Sequence, residues 1–233
     1  MSWTLDKHGS ADNGSTASTT VAVTLTSVAA GDLLVCAVTF DDAGGPTLSV
    51  SDSVNGAWTS AGPLIDGTGT LAQVQQIFYF AGSAAGSPVI TATSSLSNQF
   101  GAIVAAAFIP PATASLDQET GQHVIGGTNP TSGNVTTTAN GDLIFAATVV
   151  SGANPTAGSS FTVLDSTANS LLTDEWQVQA SSGSIAGTFT SATSQDYVAQ
   201  VATFKAGGAV VVNPNLLPGN PAPSSFSPNS VSF

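Results

Sequence analysis

Few side chains in this 233-residue chain are equipped for acid–base or nucleophilic chemistry: fourteen acids, two histidines, one cysteine and two lysines, with no arginine. Three pairs of acids stand close in sequence, Asp41-Asp42, Asp117/Glu119 and Asp174-Glu175. Glycoside hydrolysis needs two carboxylates facing one sugar, whereas pairs at turns and strand ends are commonly just solvated. His8 and His123 have no serine or cysteine beside them in a nucleophile-elbow pattern, and no histidine cluster has metal-ligand spacing. Asp52-Ser53 and Asp165-Ser166 each offer oxygen ligands to calcium, with Asn55 or Asn169 assisting. The same dipeptides also suit an Asx-turn that folds a strand into its loop. Gly31-Asp32 and Gly141-Asp142 read as turns. Trp58, Tyr79 and Trp176 would form a sugar-stacking platform if they shared an exposed face, although aromatics in β-proteins usually fill cores. The expectation is therefore no catalytic set, no cofactor and no metal, with calcium at Asp52 or Asp165 left open.

Composition narrows the partners. Charged residues make up 7% of the chain and the net charge is −12. A nucleic-acid backbone needs a basic footprint, which two lysines do not supply. An anionic membrane surface is disfavoured for the same reason. The expected partners therefore include no nucleic acid and no membrane. Cys36, the only cysteine, lies within an apolar run and reads as a small buried hydrophobe. The first eight residues lack a basic segment followed by an apolar one, so no secretory signal is expected.

The elements that must position these groups are strands. Gly31 to Phe40 (GDLLVCAVTF) is answered by Gly141 to Val150 (GDLIFAATVV). Each is a turn followed by a run apolar at nearly every position, as for a strand buried on both faces. Leu48 to Ser53 is matched to Phe161 to Ser166, Val89 to Thr93 to Ala186 to Thr190, and Ala102 to Phe108 to Val198 to Phe204. On that matching, Leu171-Leu172 stands where the first copy has Trp58. No amphipathic pattern of helical period with caps is long enough for a helix. The chain reads as all-β: an antiparallel, jelly-roll-like sandwich of two internal repeats, about 20–110 and about 132–205, within one domain spanning 1–208. Ala112 to Asn134 reads as the link between the copies, and Trp3 to His8 as an edge strand.

Residues 209–233 change character, rich in Pro, Asn and Ser with scattered apolar residues. So many prolines rule out a central strand. The segment reads as an extended arm whose Val211, Leu216, Leu217, Phe226, Val231 and Phe233 would anchor on a neighbouring subunit.

Gly-Asp-Leu-Leu-Val at Gly31 to Val35, Val-Ser-Asp-Ser-Val-Asn-Gly-Ala-Trp-Thr at Val50 to Thr59, the second Gly-Asp-Leu-Ile and the closing Ala-Thr-Phe-Lys at Ala202 to Lys205 carry a resemblance. Together they are similar to a family of duplicated β-sandwich proteins found in virions of tailed bacteriophages and among uncharacterised bacterial surface proteins. The resemblance covers about residues 20 to 205 and brings no catalytic residues. Its motifs bear on fold more than on function. Taken with the low-charge Ser/Thr/Gly surface, no expected secretory signal or catalytic set, the sandwich and the arm, it gives the reading of a non-enzymatic structural protein on the virion exterior (head decoration, fibre or tail-associated), made in the host cytoplasm and partnered by other virion subunits as a homo-oligomer. The alternative is a glycan-binding adhesin or receptor-binding module recognising a host surface glycan.

Overall fold

In the computed structural model, residues 2–42, 44–97 and 99–207 are described. The expected arm, with Val211, Leu216, Leu217, Phe226, Val231 and Phe233, lies outside them. The described residues form strands and loops without a helix, and every strand pairing is antiparallel.

The strands stack in layers. One inner sheet runs Thr4–Asp12, Gly101–Ile109, Leu33–Asp41, Gln73–Ala81 and Thr59–Ser60, with Ile65–Asp66 also on Gln73–Ala81. The other runs Ala114–Gly127, Gln195–Ala206, Asp142–Val150, Leu172–Gln179 and Thr162–Ser166. Position for position, the two orders visit the chain in the same sequence. Outside the first lies a four-stranded sheet of Thr20–Thr24, Val89–Ser94, Leu48–Asp52 and Gly56–Ala57. Outside the second lie two short ladders, Val135–Thr136 with Ser184–Ile185 and Thr156–Ala157 with Phe189–Thr190.

This layering explains why the central inner strands, Leu33–Asp41, Gly101–Ile109 and Asp142–Val150, are apolar at most positions on both faces. Successive strand residues point to opposite faces. Leu34, Cys36, Val38 and Phe40 turn outward into a core with Val21, Val50, Trp58 and Ile90. Leu33, Val35 and Ala37 turn inward and join Leu143, Phe145, Ala147, Val198 and Phe204 from the other half in a single cluster. Tyr79 meets Phe204 edge to face across this boundary, with ring centroids 5.3 Å apart. Full burial of the Phe204 ring contributes about 1.5–3 kcal/mol. A polar bridge crosses the same boundary: Gln75 Nε2 donates to the Ala147 carbonyl at 3.1 Å, and Gln200 Nε2 donates to Pro63 O at 2.9 Å.

The extended piece expected around His123 in the link Ala112 to Asn134 is the strand Ala114–Gly127, at the edge of the second inner sheet. One expectation is corrected: the match of Phe161–Ser166 to Leu48–Ser53 fails. Thr162 pairs with Trp176 as Thr59 pairs with Tyr79, so Phe161-Thr162, and not Leu171-Leu172, answers Trp58-Thr59. The shared Val-x-Asp-Ser letters suggested the first alignment. Register follows which face must be buried, and a shift would turn the aromatic to the wrong side.

Candidate functional site: twin carboxylate pairs at the Gly-Asp turns

Each Gly-Asp turn ends in a glycine with positive φ, 94° at Gly31 and 77° at Gly141, which a side chain would strain. The following aspartate is then carried into the protein: Asp32 and Asp142 are almost fully buried. Each faces a second aspartate from an edge strand, Asp6 and Asp117 respectively. Asp6 and Asp117 occupy matching bulges, between Leu5 and Lys7 and between Leu116 and Gln118. A bulge re-aims the extra residue's side chain, here out of the strand's alternation and towards the turn.

The chain's only two lysines serve these two pairs. Lys7 Nζ lies 2.7 Å from Asp6 Oδ1, and Lys205 Nζ lies 2.9 Å from Asp117 Oδ1. Thr138 also donates to Asp117, from its backbone N–H at 2.6 Å and from its hydroxyl. Burial opposes ionisation at Asp117, yet Thr138 and Lys205 outweigh it and hold its carboxyl down at about 2. Asp142 goes the other way: burial and the neighbouring Asp117 push it up to about 6. Among the described residues, neither of its side-chain oxygens has a hydrogen-bond donor. Asp32 is likewise raised to about 6, by burial and by Asp6. The second turn thus holds two carboxyls of unlike affinity for protons, the arrangement in which Asp117 ionises while Asp142 keeps a proton.

The other candidates are dispersed. Asp41 Oδ2 accepts from the Phe100 backbone N–H at 3.1 Å, while Asp42 is raised by burial and by facing Asp66, so these two turn to different partners. Asp117 faces its own sheet's turn, whereas Glu119 reaches Gly62 of the other half. Asp174 and Glu175 point to opposite faces of their strand and cannot flank one substrate. Asp174 lies wholly buried between the inner sheets, where Oδ1 accepts from Asp165 N at 2.8 Å, and burial raises it well above the carboxylate range. Glu175 looks outward and pins the outer ladder, accepting from Gly158 N at 2.9 Å and Thr188 N at 3.1 Å. Burial raises it to about 7 despite those donors. His8 Nδ1 lies 2.8 Å from Asp165 Oδ2. His123 sits opposite Val198 on another edge strand.

Asp52 is occupied by its own loop. Oδ1 accepts from Val54 N and Asn55 N, and Oδ2 from Asn55 Nδ2 and from Trp58 Nε1 at 2.7 Å. Burial raises this carboxyl, but the Trp58 and Asn55 donors prevail and hold it below its usual value. This is the Asx-turn form of the Asp-Ser pair, with the tryptophan added. Asp52→Ala leaves the indole N–H buried without an acceptor and is expected to cost about 1–3 kcal/mol. Urea unfolding of the variant checks this value.

The three aromatics do not meet on one face. Trp58 is buried under the first outer sheet, while Tyr79 and Trp176 pack between the inner sheets, Trp176 with its centroid 5.1 Å from that of Phe108. Cys36 is fully buried in the first outer core, and burial pushes its thiol far up. A thiol so placed is inert. Labelling by a maleimide is expected only on unfolding, and native labelling at the rate of a free thiol would contradict the packing.

Sequence reasoning treated the Gly-Asp dipeptides as turns and missed that each aims a carboxylate at a partner. The signal was present in Leu5-Asp6 and Leu116-Asp117, which precede the two Gly-Asp turns by nearly equal intervals. No known protein family and no curated protein matches this chain.

Proposed function

We propose that this chain is a structural protein of the bacteriophage virion exterior, an internally duplicated jelly-roll-like sandwich that joins other subunits. One observation supports this reading most. The acids that could do chemistry are employed in tying the layers together: Asp52 holds a turn, Glu175 an outer ladder, and Asp196 a loop of the other half through Thr70 N at 2.9 Å and Thr70 Oγ1 at 2.6 Å. The identical order of the two inner sheets supports the duplication, and the low-charge surface supports a subunit packed among others. The glycan-binding alternative loses its support, since Trp58, Tyr79 and Trp176 are packed inside the layers.

The test is assembly. Full-length protein and a variant ending at Gly207 are compared by analytical ultracentrifugation and electron microscopy, with and without salt. Oligomers formed by the full chain that strengthen with salt, as screening of the −12 charge requires, support the reading. A chain that stays monomeric at high concentration in both conditions rejects it.

A further inference from the structure

The two halves differ at one otherwise matching place. Leu5 pairs with Phe108 and Leu116 with Phe204, so Trp3 and Ala114 hold the same position on their edge strands. Leu33 and Leu143 pair with the same two phenylalanines, so Gly31 and Gly141 correspond as well. In the second half the place is filled. The Trp3 side chain is buried between the sheets, and its Nε1 donates to the Gly141 carbonyl at 3.0 Å.

In the first half, alanine stands where the indole would be anchored, and among the described residues the matching place is a cavity of about 290 Å³. Gly31, Asp32, Gly82, Ile109, Pro110 and Ala114 line it. Its rim is apolar, with Ile109 44% exposed. Gly31 stands where Gly141 does, so its carbonyl is the counterpart of the acceptor that takes the Trp3 N–H. Pockets of this kind, apolar with a few convergent polar groups, suit a ring carrying one donor, and tryptophan is the side chain that couples a large apolar face to an N–H.

We infer that the cleft at Gly31-Asp32 is a socket for a tryptophan side chain presented by a partner polypeptide, its ring lying where the ring of Trp3 lies in the other half. The backbone place of Trp3 is taken here by Ala114 on its own edge strand, so the ring comes from outside the fold, where the cavity opens beside the crossover Ile109 to Thr113. The inference does not depend on the virion reading and holds for a partner of any origin.

The experiment is a titration of the full-length ¹⁵N-labelled protein, followed by amide shifts, with the peptide Ser-Trp-Thr-Leu-Asp. Free indole, and the same peptide with alanine for tryptophan, serve as controls. Saturable shifts at Gly31, Gly82 and Ala114 are expected, with a dissociation constant on the order of 1 mM or below. The alanine peptide should give none, and indole should bind at least about fivefold more weakly, as lost backbone contacts dictate. Ala114→Trp fills the socket from within and should weaken the peptide at least about tenfold. The wild-type titration stands even if that variant does not fold. Absence of shifts at these residues overturns the proposal. Indole binding as tightly as the peptide overturns the partner and leaves a small-molecule site, and equal binding of the alanine peptide overturns the role of the ring.

Discussion

Truncating Phe204 to alanine will cost about 3–5 kcal/mol, the range for a buried aromatic whose cavity cannot collapse, and will weaken both halves at once. Phe204 belongs to the second half, yet its ring is fully buried against Tyr79 of the first and shares a cluster with Leu33, Val35 and Phe108. Neither inner sheet can shed the other without exposing its whole inward face. Unfolding in urea should therefore remain a single transition in wild type and variant, shifted to lower midpoint in the variant. Trp58, under the outer sheet, and Trp176, between the inner sheets, report on separate layers. Coincident transitions from the two are the expected result. Early loss of the Trp176 signal with Trp58 intact would mean that the halves fold as separate units.

Stability should be highest in mildly acid solution and fall as the pH is raised towards 8. Asp32 and Asp142 are raised to about 6 and Glu175 to about 7. Their folded forms hold protons that the unfolded chain has released. Between about pH 4 and 7 the native state therefore binds more protons than the unfolded one, and stability drops as pH climbs through that window. For Glu175, which is fully buried, the raise corresponds to about 3 kcal/mol. The opposite group, with Asp117 held at about 2 and Asp12 and Asp52 also lowered, contributes stability that disappears only below about pH 4. Thermal midpoints across pH 3–9 should thus peak near pH 4, where both groups contribute most. Asp142→Asn separates the causes. It removes a charge whose oxygens have no donor and gives Asp117 an amide to accept from. The variant is expected to gain on the order of 1 kcal/mol at pH 8, reduced by screening from the half-exposed Lys205, and little at pH 4. A variant less stable than wild type at pH 8 would show that Asp142 is held by partners other than Asp117.

The all-β class, the buried inner strands and the inertness of Cys36 were determined by sequence, because each depends on local pattern. A run such as Leu33 to Phe40, apolar at every step but Thr39, has no solvent face to offer whatever its neighbours are. Asn55-Gly56 likewise forms its hairpin locally, with Gly56 at positive φ. What only the tertiary structure decided is which side chains meet. Asp6 lies on an edge strand and Asp32 in the turn that leads into Leu33–Asp41, with Gly101–Ile109 between the two strands, and the bulge that turns Asp6 towards Asp32 leaves no mark in composition or period. Asp174 and Glu175 adjoin in sequence and are parted by the pleat, while Trp58 and Tyr79, both aromatic and both in strands or their ends, fall into different layers. Sequence carries the period of a strand. It does not carry register or the identity of the opposite layer, since those depend on burying every apolar face at once, a condition that no single segment contains.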